Sequence, residues 1–144
     1  GPAGAARIGA GPRGRGAPVV AVVRFDVPPE AAGGFPAAGE RVVAALAACA
    51  GFRAARLARA VDEPSAWLLV SEWDGPGAWR RALSAFDVRC ELTPLLAYAV
   101  DAPGAFEVLR EQEAGSAGRS YGSGLAPDAD TASPGGVPAP ARDP

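Results

Sequence analysis

The run Val19-Val20-Ala21-Val22-Val23-Arg24-Phe25-Asp26-Val27 limits what this chain can fold into more than any other stretch. Its β-branched residues are stiff at χ1 and pack well on a pleated strand. In an extended chain, successive side chains point to opposite faces. Val19, Ala21, Val23, Phe25 and Val27 therefore share one face, while Val20 and Val22 begin the other. A strand that is apolar on both sides needs cover on both. One layer of helices covers only one side, so the remaining side calls for another layer, and a second copy of the chain is the economical source.

The foldable region is shorter than the chain. Most of the 15 Pro and 19 Gly crowd toward the ends. Residues 1–17 and 111–144 offer no apolar periodicity whose burial would offset the entropy of ordering, so both are expected to be disordered tails around a domain at 18–110. All 14 basic residues are Arg, with no Lys, Asn, His or Met in the chain, which reads as biased coding before it reads as function. A net charge of −2 leaves no electrostatic footprint for nucleic acid.

Within the domain the periods alternate. Pro28-Pro29-Glu30 suits a helix entry, and Phe35, Val42, Leu46 and Cys49 recur at helical spacing before Gly51 stops them, with a kink or late start expected at Gly33, Gly34 and Pro36. Residues 52–61 favour helix by propensity, but the flanking Gly51 and Asp62-Glu63-Pro64-Ser65 turn favour a hairpin strand. Ala66 to Trp73 alternates, with Trp67, Leu69, Ser71 and Trp73 on one face. Asp74 is placed to cap a helix with the stripe Trp79, Ala82, Leu83 and Phe86, and a further apolar helical face runs from Val88 to Ala99 across Pro94. Residues 105–109 form a last short strand. The order is β-α-β-β-α-β, an α+β, ferredoxin-like plan with an antiparallel sheet.

That order, together with Leu69-Val70-Ser71-Glu72-Trp73-Asp74 running straight into Gly75-Pro76-Gly77-Ala78-Trp79 and with Val27-Pro28-Pro29-Glu30 before a long helix, resembles the antibiotic biosynthesis monooxygenase family over residues 18–110. The resemblance implies a dimeric α+β barrel in which two sheets close on each other. It also implies oxygenases that act on aromatic or quinol substrates without metal or flavin, so no cofactor is expected. A heme-degrading branch depends on a histidine and an asparagine, and this chain has neither. Other branches carry a histidine in the second helix, where the matching position here is Ala82.

Candidate site residues follow from chemistry that needs an apolar pocket, a base and an anion stabiliser. Phe25, Trp67, Trp73 and Trp79 are aromatic surfaces for a small apolar or aromatic ligand, and Ser71 and Tyr98 are polar handles among them; each is equally a core residue. Glu72, Asp87 and Arg89 form the candidate catalytic set, carboxylates as base and Arg for the anion, with a solvated ion pair as the alternative. Arg24 interrupts an apolar face and either meets an acidic ligand or reaches the sheet edge.

Other signals are discounted. Gly9-Ala10-Gly11-Pro12-Arg13-Gly14 spells GxGxxG, but no strand precedes it and Pro12 lacks an amide for a phosphate. Arg13-Gly14-Arg15-Gly16 has no interleaved aromatic for a nucleic acid. Cys49 and Cys90 lie in apolar segments without CxxC spacing and read as buried, reduced thiols. No apolar run is long enough to span a membrane, and the first residues lack the order of a signal peptide, so a cytoplasmic homodimer is expected.

Overall fold

A computed structural model describes residues 16–123, and in it the valine run is a strand. β1 (Val19–Asp26) leads to α1 (Pro29–Ala32), α2 (Phe35–Ala47), β2 (Phe52–Arg59), β3 (Ala66–Trp73), α3 (Pro76–Ser84), α4 (Phe86–Leu92), a 3-10 turn over Thr93–Tyr98, and β4 (Ala105–Glu107). The strands join in the order β2-β3-β1-β4, and every pairing is antiparallel. This is the α+β ferredoxin-like plan.

Burial identifies the covered face. Val19, Ala21 and Phe25 of β1 and all four odd-numbered residues of β3 from Trp67 to Trp73 are buried, together with Val42 and Leu46 of α2 and Val88 and Leu92 of α4. The opposite face holds Val20, Val22, Leu68 and Val70, each only half-buried in the single chain, and Phe106 of β4, which is exposed. The two-sided apolar character of β1 is thus matched by β3, and one sheet face is left without a helix layer.

The ambiguous stretch after Gly51 is a strand because pairing outweighs its Ala and Arg propensity. Gly51 has φ +86°, and a Cβ there would lie 2.5 Å from the Ala78 Cβ, so only glycine fits this turn against α3. The register shifts between Phe52 and Ala54. This bulge leaves Arg53 unpaired in the ladder, and its Nε donates to the Asp74 carboxylate at 2.8 Å. Asp74 is therefore not the expected helix cap: Gly75 holds that position with no side-chain cap bond.

The helical segments are more broken than their periodicity implies. Gly33 and Gly34 separate α1 from α2, which is the expected kink. Ala85 adopts extended angles between α3 and α4, and this bend turns Phe86 outward to 71% exposure, off the expected stripe. From Thr93 the chain tightens into a 3-10 turn with Pro94 in its first turn. Cys90 is exposed rather than buried, and Cys49 is half-buried.

The described residues divide into two units, one ending at Val108 and one starting at Leu109. In the second, β5 (Arg110–Glu111) pairs with β6 (Arg119–Ser120), where a tail was expected from residue 111. Polar contacts hold this hairpin: the Tyr121 hydroxyl donates to Glu111 at 2.7 Å, and Arg110 donates to Ser120 at 2.9 Å. Apolar periodicity is blind to such contacts. The remainder of the expected tails, residues 1–15 and 124–144, lies outside the described residues.

Candidate functional site

The alternation of β3 puts Trp67, Ser71 and Trp73 on the covered face, as expected, but at opposite ends of it. Near the β3 C-terminus, Trp73 is 0% exposed. Its ring packs edge-on against Phe52 at 5.3 Å and tilted against Trp79 at 5.7 Å. Its indole N–H donates to the Ser71 hydroxyl at 2.8 Å, so this end of the core is filled and its polar atoms are satisfied.

The other end is built around Trp67, Phe25, Phe35 and Tyr98. Phe35, from the start of α2, is the hub, with ring centroids 5.1 Å from both Phe25 and Trp67 and 6.3 Å from Tyr98. Sequence reasoning placed Phe35 on the buried helix face without seeing that it gathers the other three. Trp67 is also buried, yet its indole N–H has no acceptor among the described residues. The Arg59 guanidinium lies over the ring at 5.1 Å, and its Nε donates to the Pro64 carbonyl at 3.0 Å.

A cleft of ≈ 580 Å³ opens at this end of the sheet, within the range for small-molecule sites. Phe25, Trp67, Leu68 and Val100 contribute to its apolar lining, and Arg24, Asp26, Arg59 and Glu63 bring charge. Local pairing explains the gathering. The β2–β3 hairpin is closed by the Ala60 N–H to the Ala66 carbonyl at 2.9 Å, and the Val100 N–H donates to the Arg24 carbonyl at 2.8 Å. Phe25 bridges to Ala99. The strand end, the hairpin and the returning chain therefore meet around one hollow.

Of the nine candidate residues, Phe25 and Trp67 line this cleft, and Tyr98 packs in the same aromatic cluster. Ser71, Trp73 and Trp79 stand together at the closed end. Glu72, Asp87 and Arg89 are not brought together: Glu72 pairs opposite Val20 on the helix-free sheet face, whereas Asp87 and Arg89 are exposed on α4, whose buried residues Val88 and Leu92 pack on the other side of the sheet. Asp26 and Arg59 were missed because neither breaks a pattern. Arg24 did give a signal, as a charge in an apolar face.

Residues 18–88 match the family described as antibiotic biosynthesis monooxygenase. The likeness to that family spans just under half of the chain. Among solved structures, SnoaB, a cofactor-independent oxygenase from Streptomyces nogalater, is 27% identical with a TM-score of 0.59, over 69% of this chain and 99% of SnoaB. Rv0793 from Mycobacterium tuberculosis (16% identity, TM-score 0.55, 67% of this chain and 98% of the other) shares the fold. So does a Nitrosomonas europaea protein described as a candidate antibiotic biosynthesis monooxygenase (12%, 0.58, 66% and 93%). No curated protein matches the chain at a significant level. One SnoaB structure carries an asparagine-to-alanine substitution, and this chain has no asparagine to compare with it.

Proposed function

We propose that this chain acts as a homodimer in which each subunit holds a small, largely apolar aromatic molecule in the cleft beside Trp67 and oxidises it with dioxygen, without metal or flavin. The observation that carries this reading is the likeness to a cofactor-independent oxygenase along nearly that protein's whole length. The cleft supports it physically. Such chemistry asks the protein to exclude water and remove a proton, after which the electron pair left on the substrate passes to dioxygen. Aromatic and aliphatic walls meet the first need and the carboxylates of Asp26 and Glu63 the second. The half-buried Val20, Val22, Leu68 and Val70 support pairing, since exposed apolar patches of this kind mark association surfaces. No helix among the described residues is long and apolar enough to cross a membrane, and the two free cysteines suit a reducing, cytoplasmic setting.

A second reading, a paired ligand-binding module without chemistry, is favoured by one observation: Glu72, Asp87 and Arg89 are not assembled around a common space. Oxygen uptake separates the two. Purified protein that sediments as a dimer should consume dioxygen with an anthrone or quinol, and the rate should fall at least tenfold in Trp67→Ala. Binding without uptake across such a panel would leave the module.

A further inference from the structure

The cleft borders the sheet face that no helix covers. Arg24, Asp26, Ala58, Ala66 and Leu68 line it, and the pairings Arg24↔Leu68, Asp26↔Ala66 and Ala58↔Leu68 place all five on that face. From Leu68 the apolar surface continues through Val70 and Val22 to Val20 and Phe106, each half-buried or exposed in the single chain. Cleft and apolar patch are thus continuous through Leu68, and whatever covers the patch also borders the cleft. The charges on this face select the cover. Along the β1–β3 ladder, Glu72 stands opposite Val20 at one end, Val70 opposite Val22 in the middle, and Leu68 opposite Arg24 at the other end. Glu72 and Arg24 make no hydrogen bond or ion pair among the described residues. A cover that left either charge unpaired would be costly. A second copy meets both: a two-fold axis across the strands through Val22 and Val70 lays the Glu72 end of each sheet over the Arg24 end of the other. Packed sheets lie about 10 Å apart, a gap that one Glu and one Arg side chain together span.

We infer that a second copy, packed face to face on this sheet, completes the cleft of the first: Glu72 of each chain pairs with Arg24 of the other, and the ligand is held between two subunits. Glu72 does not line the cleft of its own chain. In the pair it reaches the rim of the other chain's cleft, beside the Arg24 that lines it. Binding and pairing are then linked, because a ligand that touches both copies strengthens their association by the same factor that association strengthens its binding. This inference rests on the cleft and the homodimer proposed above, and adds that neither subunit's site is complete alone.

Sedimentation equilibrium, combined with binding of 2-naphthol followed by its own fluorescence, tests it. The wild type should be a dimer that binds the probe. Val70→Arg and Val22→Arg set like charges against each other at the centre of the pair, on residues that do not line the cleft; both should give monomers with the wild-type circular dichroism spectrum and about tenfold or more weaker probe binding. Glu72→Arg and Arg24→Glu should each weaken the dimer by about tenfold or more, and the two together should restore most of it, as expected for a charge pair across an interface; this swap decides the matter if both valine variants fail to fold. A folded monomer that keeps the wild-type affinity overturns the shared cleft and leaves it as a site within one subunit. Dimers that survive both valine variants, or a double charge swap without recovery, overturn the pairing through this face and leave a homodimer built on another surface. A monomeric wild type overturns the homodimer as well, and a wild-type dimer that does not bind 2-naphthol overturns the cleft as an aromatic site.

Discussion

The two ends of β3 carry the same residue type and treat it in opposite ways. Trp73 is wholly enclosed, with its N–H given to Ser71 and its ring held between Phe52 and Trp79. The backbone there is tied down as well, because the Asp74 N–H donates to the Gly51 carbonyl at 2.9 Å. Trp67 is nearly as buried, but it borders a cleft and its N–H has no acceptor. Tryptophan is a costly residue to place without a partner for its N–H. One end therefore reads as built for stability, while the other retains an unmet donor in a residue that borders the cleft. Departures from full satisfaction tend to gather at functional sites.

If that contrast is real, truncation should be most damaging at the closed end. Trp73→Ala removes a ring with no route for solvent to fill the space, and the expected loss is about 3–5 kcal/mol, read from the urea midpoint. Trp67→Ala should lose less, because the vacated volume joins a cleft that is already open. Equal losses would erase the distinction between the two ends. A smaller effect comes from Ser71→Ala, which keeps the packing nearly unchanged but strips the acceptor from the Trp73 N–H. Leaving that donor buried and unpaired should cost about 1–3 kcal/mol.

The sequence made the closed end legible and the open end only partly so. Period-two alternation in β3, the valine run of β1 and the apolar helical spacing of α2 all report burial on a face, and the face assignments they imply match the packing. Periodicity says which residues lie inside, and is silent on which sit at the same end. Trp67 and Trp73 looked equivalent for that reason. Asp87 and Arg89 were grouped with Glu72 as a candidate set, which needs a bend after α3 that aims them inward. The bend is present at Ala85, but it exposes Phe86 and keeps both charges in solvent. Glu72 follows Ser71 by one residue, and in a strand that single step moves it through the sheet to the other face. The cleft depends on where a hairpin, a strand end and Val100 converge, which is information between elements that no local pattern encodes.

The smallest expected effect is the most informative about the open end. Trp67→Phe keeps an aromatic ring against Phe35 and beneath Arg59, and it removes an N–H that has no acceptor. The lost ring area is destabilising, whereas the loss of a buried, unpaired donor is stabilising. The two should nearly cancel, giving a change within about 1 kcal/mol in the ligand-free protein. The matching change at the closed end, Trp73→Phe, breaks a satisfied hydrogen bond and opens a cavity, so both contributions destabilise and no cancellation occurs. A large loss of stability in Trp67→Phe would mean that the indole N–H already has a partner in solution, such as an ordered water. The open end would then be as complete as the closed one, and the contrast between the two would lapse.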